Sequence, residues 1–156
     1  MADYIRQERA AMVDRLALTL EGAGFPKTMA RVYAALMLAE GEGLSTSELM
    51  DAVHTSKASI TNAMHFLTNI DLVERYSVRG SREAHYRVLK GRWGPIMQRK
   101  LGGIAYVRQT AEEALALADS RAAKERLEEM RDVYAFYERE IAGIVQRWNE
   151  RSKEEQ

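Results

Sequence analysis

Between Leu44 and Leu89 the hydrophobic period switches from helical to two-residue across short breaks, and that succession limits the fold more than any other feature. LSTSELMDAV opens on Ser45 with Glu48 three residues later, a capping box that satisfies two amides otherwise orphaned at a helix start. HTS follows, and Thr55 or Ser56 caps the next helix. KASITNAMHFLTNI then lines Ile60, Ala63, Met64, Leu67 and Ile70 along one face. In LVERYSV, Val73, Arg75 and Ser77 alternate with Glu74, Tyr76 and Val78; RGSR makes a turn, and Tyr86 and Val88 of AHYRVL resume the pattern. A hairpin with a basic tip is predicted.

Helix, tight turn, helix and hairpin in that order predict a winged helix-turn-helix, and the flanks read as long helices. Ile5, Arg9, Met12, Leu16 and Leu20 recur at helical spacing until Gly22 and Gly24, giving a first helix from about Asp3 to Glu21. Pro26 opens a second, with Val32, Tyr33, Leu36 and Met37 on one side and the Gly41-Glu42-Gly43 turn as its end. After Trp93, Gly94 and Pro95 a helix to about Ala118 carries Ile96, Leu101, Ile104, Val107, Ala111 and Leu115, and Asp119 and Ser120 break it. In the last helix Leu127, Met130, Tyr134, Tyr137, Ile141, Ile144 and Trp148 are spaced alternately by three and four, a heptad seam. The expected fold is mainly α with a small β-hairpin wing. Residues 1–22 form an N-terminal helix contributing to dimerisation, 24–92 the winged helix-turn-helix, 93–150 a C-terminal helical dimerisation region, and 151–156 a frayed polar tail.

Several function classes are excluded. The 156 residues contain no cysteine, which removes disulfides, thiolate metal sites and a cysteine nucleophile. No glycine-rich phosphate loop occurs, and His54, His65 and His85 fall on different elements, away from metal-ligand spacing. The Glu112-Glu113 and Glu128-Glu129 pairs sit in helices rich in Arg and Lys and read as solvated faces. No enzyme, metal or cofactor is expected. No apolar run approaches the roughly 20 residues of a membrane span, and the N-terminus does not read as a signal peptide, so a cytoplasmic protein is expected.

Bulk charge says little about nucleic acid, because Lys+Arg and Asp+Glu are equal at 23 each. Only the segment 44–92 has a positive excess, and it is small. The pattern is more informative: from Lys57 to Ile70 there is no acidic residue, and the polar face offers hydroxyls, an amide and an imidazole, which meet phosphates and base edges without repulsion. In a major groove, Ser56, Lys57, Ser59 and Thr61 would face phosphates or early base edges, and Asn62 and His65 are the candidates for base contacts. Arg79, Gly80, Ser81 and Arg82 form a wing tip suited to a phosphate or a minor groove. Arg31, Arg75, Arg87 and Lys90 are lesser candidates, since ion pairs to Glu48, Glu74 or Asp71 compete for them. The plain alternatives are a solvated helix face and an exposed hairpin tip; the alternative function is a winged-helix protein-interaction module without sequence-specific DNA binding.

A two-fold operator requires a two-fold protein, so the seam of Leu127, Met130, Tyr134, Tyr137, Ile141, Ile144 and Trp148 is assigned to a homodimer, with packing inside one subunit as the other reading. Tyr33, Trp93, Met97 and Tyr106 are candidates to line an effector cavity, although aromatic and methionine residues at helical spacing are more often core.

Two stretches carry a family likeness. GFPKTMARVYAALMLAEGEGLSTSELMDAV and SKASITNAMHFLTNIDLVERYSVRGSREAHYRV, together about residues 24 to 88, resemble the MarR family of winged-helix transcriptional regulators, and in particular its GbsR-like branch. Thr55 departs from the pattern, which has an aliphatic residue before the serine. The resemblance implies a cytoplasmic homodimer bound to an imperfect palindrome in double-stranded DNA, usually as a repressor and often released by a small-molecule effector.

Overall fold

The computed structural model describes the backbone of residues 1–154 and the side chains of all of these except Ala2, Asp3, Ile5, Ser152 and Glu154. The placement of Ile5 on the first helix's apolar face, and the last two residues of the expected tail, lie outside the described residues. The chain forms two compact units, residues 1–92 and 93–156.

In the first unit, α1 (Ala2–Gly22) packs on α2 (Lys27–Met37) and buries Ala17 and Leu20. Pro26 sits just ahead of α2, where its missing N–H costs nothing. Six of the eleven residues of α2 are buried, namely Ala30 and Val32 to Leu36, because α1, α3, α4 and the sheet all contact it. It ends at Met37, earlier than the glycine turn that was expected to stop it. The last turn tightens there, with the Ala39 N–H on the Leu36 carbonyl at 3.3 Å.

Leu44 and Ser45 form β1, and α3 (Thr46–Val53) starts with the expected capping box: Ser45 Oγ accepts from Glu48 N at 3.2 Å and Glu48 Oε2 accepts from Ser45 N at 2.7 Å. His54 ends α3 in the left-handed region, at φ 50°, and so reverses the chain within three residues. The cap of α4 (Lys57–Asn69) is Ser56. Ile60, Ala63, Met64 and Leu67 are buried, as the sequence pattern requires; full burial of a side chain such as Ile60 or Leu67 contributes about 1.5–3 kcal/mol.

The hairpin consists of β2 (Val73–Tyr76) and β3 (His85–Val88), antiparallel, with Val73 opposite Val88 and Tyr76 opposite His85. The sheet has three strands in the order β1-β3-β2, because Leu44 pairs with Tyr86 and Ser45 with His85. Two residues are too few to show alternation, so β1 left no readable pattern. The close approach shows instead at Gly43, where an added Cβ would overlap the Tyr86 carbonyl oxygen and lie 2.9 Å from its carbon.

The second unit is a hairpin of α5 (Trp93–Leu117) and α6 (Arg121–Glu154), with Ser120 Oγ capping α6 by accepting from Ala123 N at 3.1 Å. Gln98 donates to Asn149 at 2.8 Å, and Arg108 bridges Glu112 on its own helix and Glu138 on the other, which holds its guanidinium pKa above the ordinary value. The α6 helix continues to Glu154, through four of the residues expected to fray. Ala111 is the one buried hydrophobic residue among the described residues of this unit. Across the described residues, no helix is long and apolar enough to cross a membrane.

Gly43→Ala is expected to cost about 1–3 kcal/mol, because the obstacle is backbone and the β1-β3 pairing must open to admit the methyl group. Urea unfolding of the variant beside the wild type measures it.

Candidate nucleic-acid interface

The apolar stripe of α4 faces α2 and α3, so its other side is turned to solvent. Ser56, Lys57, Thr61, Asn62 and His65 are exposed and Ser59 is half-buried. Their chemistry divides in two. Ser56 Oγ accepts from Ser59 N at 3.2 Å and lies 3.0 Å from Ser59 Oγ, and Thr61 Oγ1 donates to the Lys57 carbonyl at 2.9 Å, so the three hydroxyls are already engaged in holding the helix's first turns. Lys57, Asn62 and His65 make no side-chain hydrogen bond or ion pair among the described residues, which leaves their heads open to an external partner.

The wing tip is exposed throughout. Gly80 adopts φ 87°, the conformation that its lack of a Cβ permits, and the turn closes with the Ser81 N–H on the Val78 carbonyl at 3.1 Å. Neither Arg79 nor Arg82 has an ion pair among the described residues. Between wing root, α3 and α4 lies a hollow of about 380 Å³, lined by Thr46, Ser47, Met50, Lys57, Thr61, Arg75, Arg82, Glu83, Ala84 and Tyr86. It joins three cations from three elements.

The lesser candidates separate clearly. Arg87 is committed: its Nε donates to Glu74 at 2.6 Å, Glu42 lies 3.5 Å from Nη1, and the guanidinium sits 5.0 Å from the centre of the Tyr76 ring, so its pKa is raised, chiefly by Glu74. Arg31 faces Asp14 at 3.5 Å. Arg75 makes no ion pair among the described residues and lines the hollow. Reading the sequence missed the hollow's one acid, Glu83, because its partner Ser47 lies thirty-six positions away and no local pattern signals the pairing.

On the seam, Leu127, Tyr134 and Ile141 are half-buried, whereas Met130, Tyr137, Ile144 and Trp148 remain exposed. Of the residues assigned to an effector cavity, Tyr33 belongs to the first unit and Trp93, Met97 and Tyr106 to the second. Tyr33 is 1% exposed in the first unit's core, stacked on Phe25, because α2 is the helix every neighbour packs against. Trp93 and Met97 line an apolar groove of about 300 Å³ with Leu101, Ile144 and Trp148, while Tyr106 belongs to a separate hollow with Leu127 and Met130. Among the described residues no cluster of His, Asp or Glu could hold a metal ion.

Two short helices at a tight turn, a three-stranded sheet and an exposed basic hairpin tip define a winged helix-turn-helix protein. Residues 91–151 match the model of the MmpR5-like MarR family transcriptional regulators. The HTH-type transcriptional regulator MmpR5 of Mycobacterium tuberculosis (strain ATCC 25618 / H37Rv) is 24% identical over 145 residues, 92% of this chain and 88% of that protein. A crystal structure of a transcriptional regulator shares the fold at a TM-score of 0.67 and 22% identity, covering 92% of this chain and 99% of that one. These likenesses are to transcriptional regulators of the MarR type.

Ser56→Ala removes the cap of α4 and should lower stability by about 1 kcal/mol. Thermal unfolding followed by circular dichroism is the check.

Proposed function

We infer that the protein is a sequence-specific DNA-binding regulator that reads a palindromic operator as a homodimer and acts as a repressor. The carrying observation is the set of unpartnered groups at the interface: Lys57, Asn62 and His65 on an acid-free helix face, beside Arg75, Arg79 and Arg82 with no internal ion pair. A protein that kept these cations for its own stability would pair them, as it pairs Arg87 and Arg108. In the proposed complex α4 lies in a major groove, Asn62 and His65 meet base edges, and Lys57, Ser56, Ser59 and Thr61 run along the phosphates. Arg79, Gly80, Ser81 and Arg82 supply the wing's contacts.

Homodimerisation is supported by the second unit. A helix hairpin that leaves Phe136, Tyr137, Ile144 and Trp148 about half exposed has too little core to account for its own stability. A second copy supplies the missing cover, with Leu127, Met130, Tyr134, Tyr137, Ile141, Ile144 and Trp148 at or beside the contact, and α1 contributing. Release by a small molecule, the cytoplasmic location and the GbsR-like affinity of residues 24–88 belong to the same reading. That affinity rests on the first unit, while the family match lies almost wholly on the second.

The two contact classes respond differently to substitution. Asn62→Ala should weaken binding to a specific duplex by about 1–3 kcal/mol and leave mixed-sequence binding nearly unchanged. Arg79→Ala should weaken both and reduce the salt slope by about 1. Fluorescence anisotropy titrations across a salt series measure both, and wild-type behaviour from both variants would refute the assigned face.

A further inference from the structure

The hollow between α3, α4 and the wing contains Lys57, Arg75 and Arg82 and a single carboxylate, that of Glu83. An acid on a surface that meets phosphates is a liability twice over: it repels the backbone directly, and if it is free to move it can pair with a cation the phosphates need. Among the described residues Glu83 forms no ion pair with Lys57, Arg75 or Arg82. Glu83 instead accepts from the Ser47 hydroxyl through Oε1 and faces the Ser47 backbone N–H through Oε2 at 3.4 Å. Ser47 lies in the first turn of α3, where amides lack helical acceptors and the helix dipole favours a negative charge.

The surrounding bonds make this a clamp on the wing root. The Thr46 N–H donates to the Ala84 carbonyl at 3.0 Å, and Thr46 Oγ1 does so at 3.3 Å. On the wing side, the Glu83 N–H donates to Ser81 Oγ at 3.2 Å, and His85 Nδ1 lies 3.2 Å from the Glu83 carbonyl. Arg82 therefore sits between a turn closed on Ser81 and a residue anchored to α3. Hydrogen bonds from the Ser47 hydroxyl and then from its amide hold the Glu83 carboxyl below the usual carboxylate range, so it remains the charged partner at neutral pH.

We propose that Ser47 and Glu83 form a latch that positions the wing against α3 and keeps the hollow's one carboxylate away from Lys57, Arg75 and Arg82, leaving all three for phosphates. Glu83 is thus a positioning residue of the DNA-contact reading on which this proposal rests, and it contributes by being restrained. The obvious substitution is ambiguous, since losing Glu83 both opens the latch and removes the repelling charge. Ser47→Ala separates the two effects, because it removes the hydroxyl's hydrogen bond, leaves only the long contact to the backbone N–H, and keeps the carboxylate charged.

The test uses the full-length protein, a fluorescent mixed-sequence duplex and a potassium chloride series, with S47A, E83Q and the S47A/E83Q pair. Hydrogen exchange of the amides of residues 78–84 is measured alongside without DNA. The latch predicts faster exchange at the wing in S47A. It also predicts binding about five- to tenfold weaker at 0.1 M salt with a slope shallower by about 1, as for one lost phosphate contact. E83Q should bind as tightly as the wild type or more so, and the pair should recover the wild-type slope. A purely structural role for Ser47 leaves the pair as weak as S47A, and that result overturns the proposal, as does a wild-type slope in S47A. Unchanged wing exchange in S47A, with DNA binding intact, overturns the latch alone. Failure of the wild type to bind duplex at any salt overturns the DNA-contact reading, and the electrostatic half of the latch with it.

Discussion

Burial of Ile60, Ala63, Met64 and Leu67 governs the proposed DNA-reading surface, because a helix that commits one face to the core has no choice about the other. Asn62 and His65 lie between those buried positions in sequence and are turned out by the same geometry that turns their neighbours in. Three devices fix where that outward face lies. Ser56 caps the helix, His54 reverses the chain into it, and α2 supplies the surface it packs against. Loosening any of them changes where Asn62 and His65 point and leaves their chemistry intact.

With equal numbers of acidic and basic residues, the protein owes its basic surface to allocation. Carboxylates are spent where fold stability uses them: Glu74 on Arg87, Glu138 and Glu112 on Arg108, Glu40 on Arg9, and Glu48 on the start of α3. These pairs are largely exposed, so each stabilises the fold by little. Their larger consequence is positional. They leave Lys57, Arg75, Arg79 and Arg82, across α4 and the wing, without an ion pair among the described residues, and a local field of that kind is the proposed electrostatic route of a neutral protein to DNA.

How much could be read from the chain depended on the range of the interaction. The capping box at Ser45, the α4 stripe and the RGSR turn are set by residues within four positions of one another, and all of these appear as expected. The β1 strand is different: Leu44 and Ser45 are extended because Tyr86 and His85 lie beside them, and only Gly43 carries a trace of that contact. Glu83 carries no local signal of its role, because its partner Ser47 lies thirty-six positions away. Tyr33 is a core ring of the first unit, whereas Trp93 and Met97 line one groove of the second and Tyr106 another, because helical spacing reports which side of a helix a ring occupies and not what lies opposite. On the seam, heptad spacing foretold an apolar face, but α5 covers it only in part; Leu127, Tyr134 and Ile141 are half-buried and Tyr137, Ile144 and Trp148 are not.

The central claim is that one α4 face and one wing per subunit read DNA in two-fold pairs, and selection from a random duplex library by the purified protein at near-physiological salt tests it most directly. The account predicts enrichment of two inverted half-sites at a fixed spacing, with centres separated by about one turn of B-DNA, roughly 34–36 Å, or a multiple of it. A pool unchanged from the input, recovered with a folded, dimeric protein free of bound small molecules, would contradict it.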